Sequence, residues 1–437
     1  MNILTSATIC LSLLLLGAHH LRFGDMGLAA AHVLLVTLVF SRKQWVRMPA
    51  VAALAWGAWV WADSTVGFIR VRQMLGADWE RLALIMGAVI AVTFAAFMLS
   101  LGPTGTRWFN RQSRGASIRG LVFLLVCLGL SVAQAKVPFP VLLLDRFAPG
   151  WGWLEIILLG LYGQWIASLM LEPSRQPQVR RYIWAGFSFV FFLQLALGLS
   201  GLRDMLMTGN LHLPVPALIL GGPVYRGGGF FMLILFSVTL LLVGPAWCSH
   251  LCYIGAWDDA ASRLGARKPA TLSRRVTILS RLATLVLVVG AAYGLRISGA
   301  SWVLAVVGGA VFGAAGVIIM LTISRRNGTM VHCTAYCPIG VVANLLGKVS
   351  PWRIRIGADC TRCNACIARC RYSALDDRAL EEGSPALSCT LCGDCVGACR
   401  HGQIGYVFPG MTAERARAAF ITLVVSLHAV FLGVARI

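Results

Sequence analysis

Charged side chains are scarce in this sequence. They make up 13% of its 437 residues, whereas hydrophobic residues make up 58%, and the mean hydropathy is +0.76. A water-soluble globular protein cannot bury that much apolar surface. The composition therefore excludes an ordinary soluble enzyme and predicts that membrane lipid is the solvent for most of the chain.

The sequence also lacks the motifs of nucleotide chemistry. No glycine-rich dinucleotide fingerprint, P-loop or hydrolytic triad occurs in a suitable structural context, and no soluble flavin-binding domain precedes the hydrophobic segments. We therefore expect a chain that does not bind NAD itself, receives electrons from another carrier and works with a separate redox partner protein.

Hydrophobic runs of roughly 17 to 25 residues, the length that crosses a ~30 Å hydrocarbon layer as a helix, recur along the chain. About eleven such segments can be recognised, near residues 3–18, 26–40, 49–61, 82–102, 119–135, 154–171, 181–200, 230–247, 276–296, 301–323 and 417–435. The first segment has no basic n-region and a second follows at once, which favours a retained helix over a signal peptide. The predicted fold class is an all-α polytopic membrane protein.

Acidic residues are rarer than basic ones, 17 against 38, and the net charge is +21. The basic residues lie in loops that follow even-numbered hydrophobic segments, as the positive-inside rule requires, so we do not expect nucleic acid as a partner. This pattern predicts a multi-pass protein of the inner (cytoplasmic) membrane. Its N-terminus and the segment 324–416 would face the cytoplasm.

Cysteine is abundant, with fourteen residues in the chain. Because the cysteine-rich part is expected to face the reducing cytosol, the cysteines indicate metal ligation more than disulfides. Eight of them form two runs of the spacing C-x2-C-x2-C-x3-C, namely Cys360, Cys363, Cys366 and Cys370, then Cys389, Cys392, Cys395 and Cys399. The spacing is typical of ferredoxins with two [4Fe-4S] clusters.

In such ferredoxins the first three cysteines of one run share a cluster with the last cysteine of the other. The predicted first cluster is held by Cys360, Cys363, Cys366 and Cys399, and the second by Cys389, Cys392, Cys395 and Cys370. A pair of structural zinc sites is the alternative, but zinc usually takes paired C-x2-C knuckles or cysteine with histidine. The expected result is a small α+β ferredoxin-like domain.

Basic residues surround these cysteines. Positive charge beside an anionic cluster stabilises its reduced state and raises its potential, although the same residues could form only a solvated or headgroup-facing surface. They are Arg362, Arg369, Arg371, Arg400 and His401.

Four further cysteines form two C-x3-C motifs, each just after a hydrophobic helix: Cys248 with Cys252, and Cys333 with Cys337. A spacing of four places two thiols on one helical face, so the two pairs could converge into a third redox or metal site. Two pairs of buried packing cysteines are the alternative. His250 and His332, beside the motifs, are expected to make supporting hydrogen bonds, and Cys10 and Cys127 to be packing residues.

The loop between residues 201 and 229 is apolar and rich in glycine and proline. A quinol site needs an apolar slot with polar partners for each oxygen. Here the candidates are Arg203, Asp204, His212, Tyr225 and Arg226, although a purely structural loop is the alternative. His32 and His428 fall inside predicted membrane helices, where an imidazole is costly enough to suggest a function.

The order helix, C-x3-C, two helices, C-x3-C-P and double ferredoxin module, over about residues 181–400, resembles the membrane polyferredoxins of the NapH/NosR type, which are 4Fe-4S quinol dehydrogenase membrane components. The resemblance implies electron transfer between the quinol/quinone pool and a redox partner or maturation system through the clusters. A weaker resemblance, to cytochrome oxidase assembly proteins, gives the alternative of a copper reduction and assembly factor.

These observations predict four domains. Residues 1–180 would be transmembrane helices for scaffolding or partner docking, and 181–349 a transmembrane core with the two C-x3-C motifs. Residues 350–410 would form the cytoplasmic ferredoxin-like domain, and 411–437 a C-terminal transmembrane helix that holds it close to the membrane.

Overall fold

The structure is a computed structural model that describes residues 2–109, 115–206, 213–265 and 268–434. Its contacts divide the chain into two compact units, residues 1–128 and 129–437. Both units are mostly helical, as the long apolar runs of the sequence require.

The first unit contains five helices and the beginning of a sixth. Their bounds are α1 Asn2–Arg22, α2 Met26–Val39, α3 Gln44–Met74, α4 Glu80–Leu101, α5 Pro103–Phe109 and α6 Ala116–Lys136. Apolar residues of α1 to α5 form its core, including the buried Leu13, Leu54 and Phe109, and Cys10 packs against that core as expected of a packing residue.

The second unit begins within α6 and contains the remaining helices. Their bounds are α7 Leu143–Phe147, α8 Gly152–Met170, α9 Gln176–Leu199, α10 Leu218–Arg226, α11 Phe231–Val243, α12 Trp247–His250, α13 Gly255–Leu264, α14 Arg274–Ile297, α15 Trp302–Ile319, α16 Arg325–Asn327, α17 Pro338–Leu346, α18 Asp377–Glu381, α19 Asp394–Ala398 and α20 Ala413–Val434. Two π-helical turns, Met320–Ser324 and His332–Tyr336, adjoin α16 and α17. π-helical turns occur frequently at functional sites.

Eight helical segments in the described residues are long and apolar enough to cross a membrane: Glu80–Leu101, Ser117–Lys136, Gly152–Met170, Gln176–Leu199, Phe231–His250, Arg274–Ile297, Trp302–Asn327 and Ala413–Val434. Their outward surfaces are apolar, as a lipid environment requires. The first three predicted segments correspond to α1, α2 and α3, which are outside this set, so the total of eleven stays a prediction.

Residues 350–410 contain the only strands in the described part of the chain. The strands β1 Arg353–Ile356 and β2 Ile404–Val407 pair antiparallel, with Arg353 opposite Val407 and Ile356 opposite Ile404. Alternate side chains of this pair, including Ile354 and Tyr406, are buried. The pair brackets both cysteine runs, so it brings the first run and the end of the second together.

Candidate iron–sulfur sites

One cavity is lined by four cysteines of the two runs. They are Cys360, Cys363 and Cys366 of the first run and Cys399 of the second. Cys366 is buried, whereas Cys363 is exposed. The backbone thus brings together the same four thiols that the ferredoxin spacing assigns to the first cluster.

The loops that carry the cysteines have the same unusual backbone in both runs. The residues on either side of the second cysteine have positive φ: Arg362 (51°) and Asn364 (59°) around Cys363, and Leu391 (55°) and Gly393 (81°) around Cys392. Side chains other than glycine rarely adopt this conformation, and such residues concentrate at functional sites. Loops of this kind also turn backbone N–H groups toward a bound anion, as at many iron–sulfur sites.

The other four ferredoxin cysteines lie in the interior of the second unit. Cys370, Cys389 and Cys392 pack around the buried Tyr372 and Ala374. Burial, followed by the proximity of Cys392, Cys389 and Cys370, raises the pKa of Cys395 well above its ordinary value. Burial also raises the pKa of Cys389 to about 12. A bound metal deprotonates a coordinating thiol and supplies the positive charge that a buried thiolate lacks, so four thiols gathered in this way are suited to hold a metal centre.

Gly393 fixes the turn that precedes α19 and Cys395. A Cβ at this position would clash with Gln176 Nε2 and lie 2.5 Å from Tyr406 Oη, and the φ of +81° disfavours any side chain. We therefore expect Gly393→Ala to lower the thermal unfolding temperature clearly and to lower the iron content. Gly405→Ala is the matched control in the same domain, because its Cβ would make only an ordinary 3.5 Å contact with Ala413. If Gly393→Ala and Gly405→Ala had the same iron content and the same thermal unfolding temperature, the turn at Gly393 would not require glycine.

A second cavity is lined by all four cysteines of the C-x3-C motifs, Cys248, Cys252, Cys333 and Cys337. Asp258 positions the second motif, because its Oδ2 accepts a hydrogen bond from the Cys333 N–H at 2.9 Å. Burial raises the pKa of Asp258 to about 6, against the opposing effect of its hydrogen bonds with Ser324 and Cys333. The two motifs therefore line one cavity, and their role as a redox or metal site stays a prediction.

A buried ion network joins the ferredoxin segment to the membrane helices. Arg180, on α9 and with no exposed side-chain surface, donates to both carboxylate oxygens of Asp394 at 3.1 and 2.9 Å. Arg263 donates to Asp259 and also to Asp394, at 3.2 Å. Asp394 lies between Cys392 and Cys395, so this network positions the loop that carries them.

The last helix is joined to the same region by hydrogen bonds. Arg417 on α20 donates to Gln176 Oε1 at 3.1 Å, and Gln176 donates to the hydroxyl of Tyr406 at 3.2 Å. Tyr406 in turn donates to the carbonyl of Leu391 at 2.9 Å. The strand β2, the α9 N-terminus and the second cysteine run therefore share one set of polar contacts.

The basic residues near the ferredoxin cysteines lie in three different environments. Arg362 and His401 line the first cavity. Arg371 instead donates to the carbonyls of Ser262 and Gly328. It therefore connects the first cysteine run to α13 and to the end of α16. Arg369 and Arg400 are exposed.

Four histidines that the sequence singles out, His32, His250, His332 and His428, line neither cavity. His250 and His332 are buried. His32 stacks on His20, with ring centroids 5.3 Å apart, and His428 contacts the Tyr162 hydroxyl at 3.0 Å.

Of the predicted quinol residues, Tyr225 donates to the carbonyl of Ala300 at 2.9 Å, while Arg203, Asp204 and Arg226 are exposed. His212 lies outside the described residues. The quinol site therefore stays a prediction.

The family model described as "4Fe-4S binding domain" matches residues 227–271 and 297–357. These segments contain both C-x3-C motifs and end just before the first ferredoxin run. The methylamine utilization ferredoxin-type protein MauN of Paracoccus denitrificans (strain Pd 1222) is 28% identical over 203 residues, which cover 41% of this chain and 69% of MauN. Both comparisons support a 4Fe-4S ferredoxin-type protein. No solved structure matches the chain.

Proposed function

We propose that this chain is a membrane-bound iron–sulfur electron-transfer protein that passes electrons between the quinone pool and a partner redox or maturation system. The observation that carries the proposal is the cavity shared by Cys360, Cys363, Cys366 and Cys399. It joins three cysteines of one run to the last cysteine of the other, which is the ligand exchange that two adjacent [4Fe-4S] clusters require.

The donor set fits an iron–sulfur cluster better than a single ion. In the described ranges, no three His, Cys, Asp or Glu side chains are grouped so that they could hold one metal ion. A zinc ion needs all its sulfurs about 2.3 Å from one point, whereas these thiols surround a cavity. The second cluster would be held by Cys370, Cys389, Cys392 and Cys395. When bound, each cluster supplies a centre that accepts and releases one electron.

The surroundings of the two cysteine groups differ in a way that suits electron transfer to a soluble partner. Cys363 of the first group is exposed, and Arg362 beside it is exposed too. The second group packs against Trp184 of α9, a membrane helix. The first group is thus suited to exchange electrons with a partner protein, and the second group is suited to exchange them with a centre among the membrane helices.

Reduction by a quinol analogue tests the proposed function. We expect that the anaerobically purified protein, given a reduced low-potential quinol analogue in detergent or lipid, shows a growing [4Fe-4S]⁺ EPR signal. A soluble double-cluster ferredoxin under the same conditions is the control for direct chemical reduction. Clusters that dithionite reduces and the quinol leaves oxidised would contradict the quinol step and favour metal reduction or assembly. Zinc without iron after anaerobic handling would contradict the whole proposal.

A further inference from the structure

We propose that the four cysteines of the C-x3-C motifs hold a third [4Fe-4S] cluster, placed at the ends of the membrane helices and next to the second ferredoxin cluster. The inference deepens the proposed function and rests on it only for the source of the electrons. Its starting point is the cavity that Cys248, Cys252, Cys333 and Cys337 line together.

Each cysteine is held by a well-defined backbone element. Cys248 lies on α12 at the end of the span Phe231–His250, and Cys252 follows directly. Cys333 lies in a π-helical turn after the span Trp302–Asn327, and Cys337 caps α17. Four thiolates are the ligand number that iron–sulfur clusters use. Since the 4Fe-4S family match covers these segments, we assign the four-iron form.

Hydrogen-bond donors without a protein partner line the same cavity. Within the described residues, Arg281 Nε, Asn344 Nδ2 and Thr390 Oγ1 have no hydrogen-bond partner, and all three residues are 3% exposed. Buried polar groups almost always find a hydrogen-bond partner, because an unpaired buried donor has lost its bonds to water without replacement. An anionic cluster with acceptor sulfurs would satisfy all three donors.

The charged residues that line the cavity also favour an anionic ligand. Arg281 lies on α14 within a helix long and apolar enough to span a membrane, and its Nη2 donates to the carbonyl of Cys333. The described residues that line the cavity include no aspartate or glutamate. A buried arginine at membrane depth needs a negative partner, and four thiolates with their cluster would provide it. Gly340 leaves room for this arginine, since a Cβ there would lie 3.0 Å from Arg281 Nη2.

The third site is continuous with the second ferredoxin group. Tyr372 and Thr390 line the C-x3-C cavity, and each lies within two residues of a ferredoxin cysteine, Cys370 or Cys389. Cys333 packs in the same cluster as these two cysteines. The geometry therefore orders three one-electron centres from the membrane helices to the exposed Cys363. In the step between neighbouring centres, one electron leaves the third centre, which is oxidised, and enters the second, which is reduced, and no bond is made or broken in that step.

An iron and sulfide count on the wild-type protein tests the inference without relying on a variant. We expect about twelve irons per chain, of which the double variant Cys248→Ser/Cys337→Ser retains about eight. The double variant Cys10→Ser/Cys127→Ser is the matched control and should keep all twelve, because Cys10 packs in an apolar core. About eight irons in the wild type, with both ferredoxin signals in EPR, would overturn the third cluster and leave the proposed function intact. Four or fewer would overturn both.

A near-isosteric substitution tests the same site in case the cysteine variant misfolds. Thr390→Val has nearly the same shape and removes only a hydrogen bond to the cavity, so the iron count should stay at about twelve. Hydrogen bonds to cluster sulfurs raise the potential, so an EPR-monitored redox titration should show one of three centres at a lower potential. Three unchanged midpoint potentials would contradict the placement of a cluster beside Thr390.

Discussion

Replacement of Cys395 by serine is expected to remove about four irons per chain, all from the second ferredoxin cluster. Cys395 is buried, and its sulfur lies with those of Cys370, Cys389 and Cys392. A serine hydroxyl stays protonated at neutral pH, so it is a poor substitute for a thiolate ligand. Because this group lies between the C-x3-C cavity and the exposed first group, its loss should also stop quinol-dependent reduction of a partner. Iron analysis, EPR and reduction of an added one-electron acceptor measure these effects.

Two matched variants make this result specific. Cys363→Ser should also lower the iron content by about four, but it removes the exposed cluster and should leave the EPR signal of the buried one. Cys127 lies in α6, outside the three cysteine groups. Cys127→Ser should therefore change neither the iron content nor the EPR signals. If Cys395→Ser and Cys363→Ser removed the same signal, the assignment of the eight cysteines to two crossed groups would be wrong.

Local spacing carried most of the information about the candidate ligands. The two C-x2-C-x2-C-x3-C runs predict which thiols belong together, and the cavity around Cys360 and Cys399 brings those residues to one place. The C-x3-C spacing predicts only that the two thiols of each pair lie on one helical face, and the tertiary fold then brings the two pairs to one cavity. The spacing within each motif is local, so the sequence exposes it directly.

The supporting residues could not be found in this way. In the sequence, Arg281 is one of several basic residues at the start of α14 and Asn344 is an ordinary polar residue, and only the fold brings both to the cysteines. Arg180 was one of several basic residues that the positive-inside rule explains, yet it pairs with Asp394, 214 positions further along the chain. Partners so distant in sequence are set by tertiary packing, which no spacing rule reports.

Replacement of Arg180 by methionine is expected to have the largest effect on stability, a loss of about 3–5 kcal/mol. The substitution leaves the carboxylates of Asp394 and Asp259 buried with only Arg263 to balance them. It also removes the hydrogen bond to the carbonyl of Ser249, which lies next to Cys248. We expect the segment 350–410 to become susceptible to proteolysis and to exchange its amide hydrogens faster. Arg175→Met is the control, because its ion pair with Glu172 is exposed and contributes little.

The pH dependence of the same variant distinguishes lost charge pairing from lost packing. Burial acts to raise the pKa of Asp259, but hydrogen bonds from Arg263 and the charge of Arg180 outweigh it and hold the pKa below its ordinary value. A lowered carboxylate pKa stabilises the fold above the unfolded-state value of about 3.9, and that contribution is lost as the pH falls through the folded-state pKa. Without Arg180 the pKa should rise. The stability difference between wild type and Arg180→Met should then be largest near neutral pH and narrow toward acid, whereas a pH-independent difference would indicate lost packing alone.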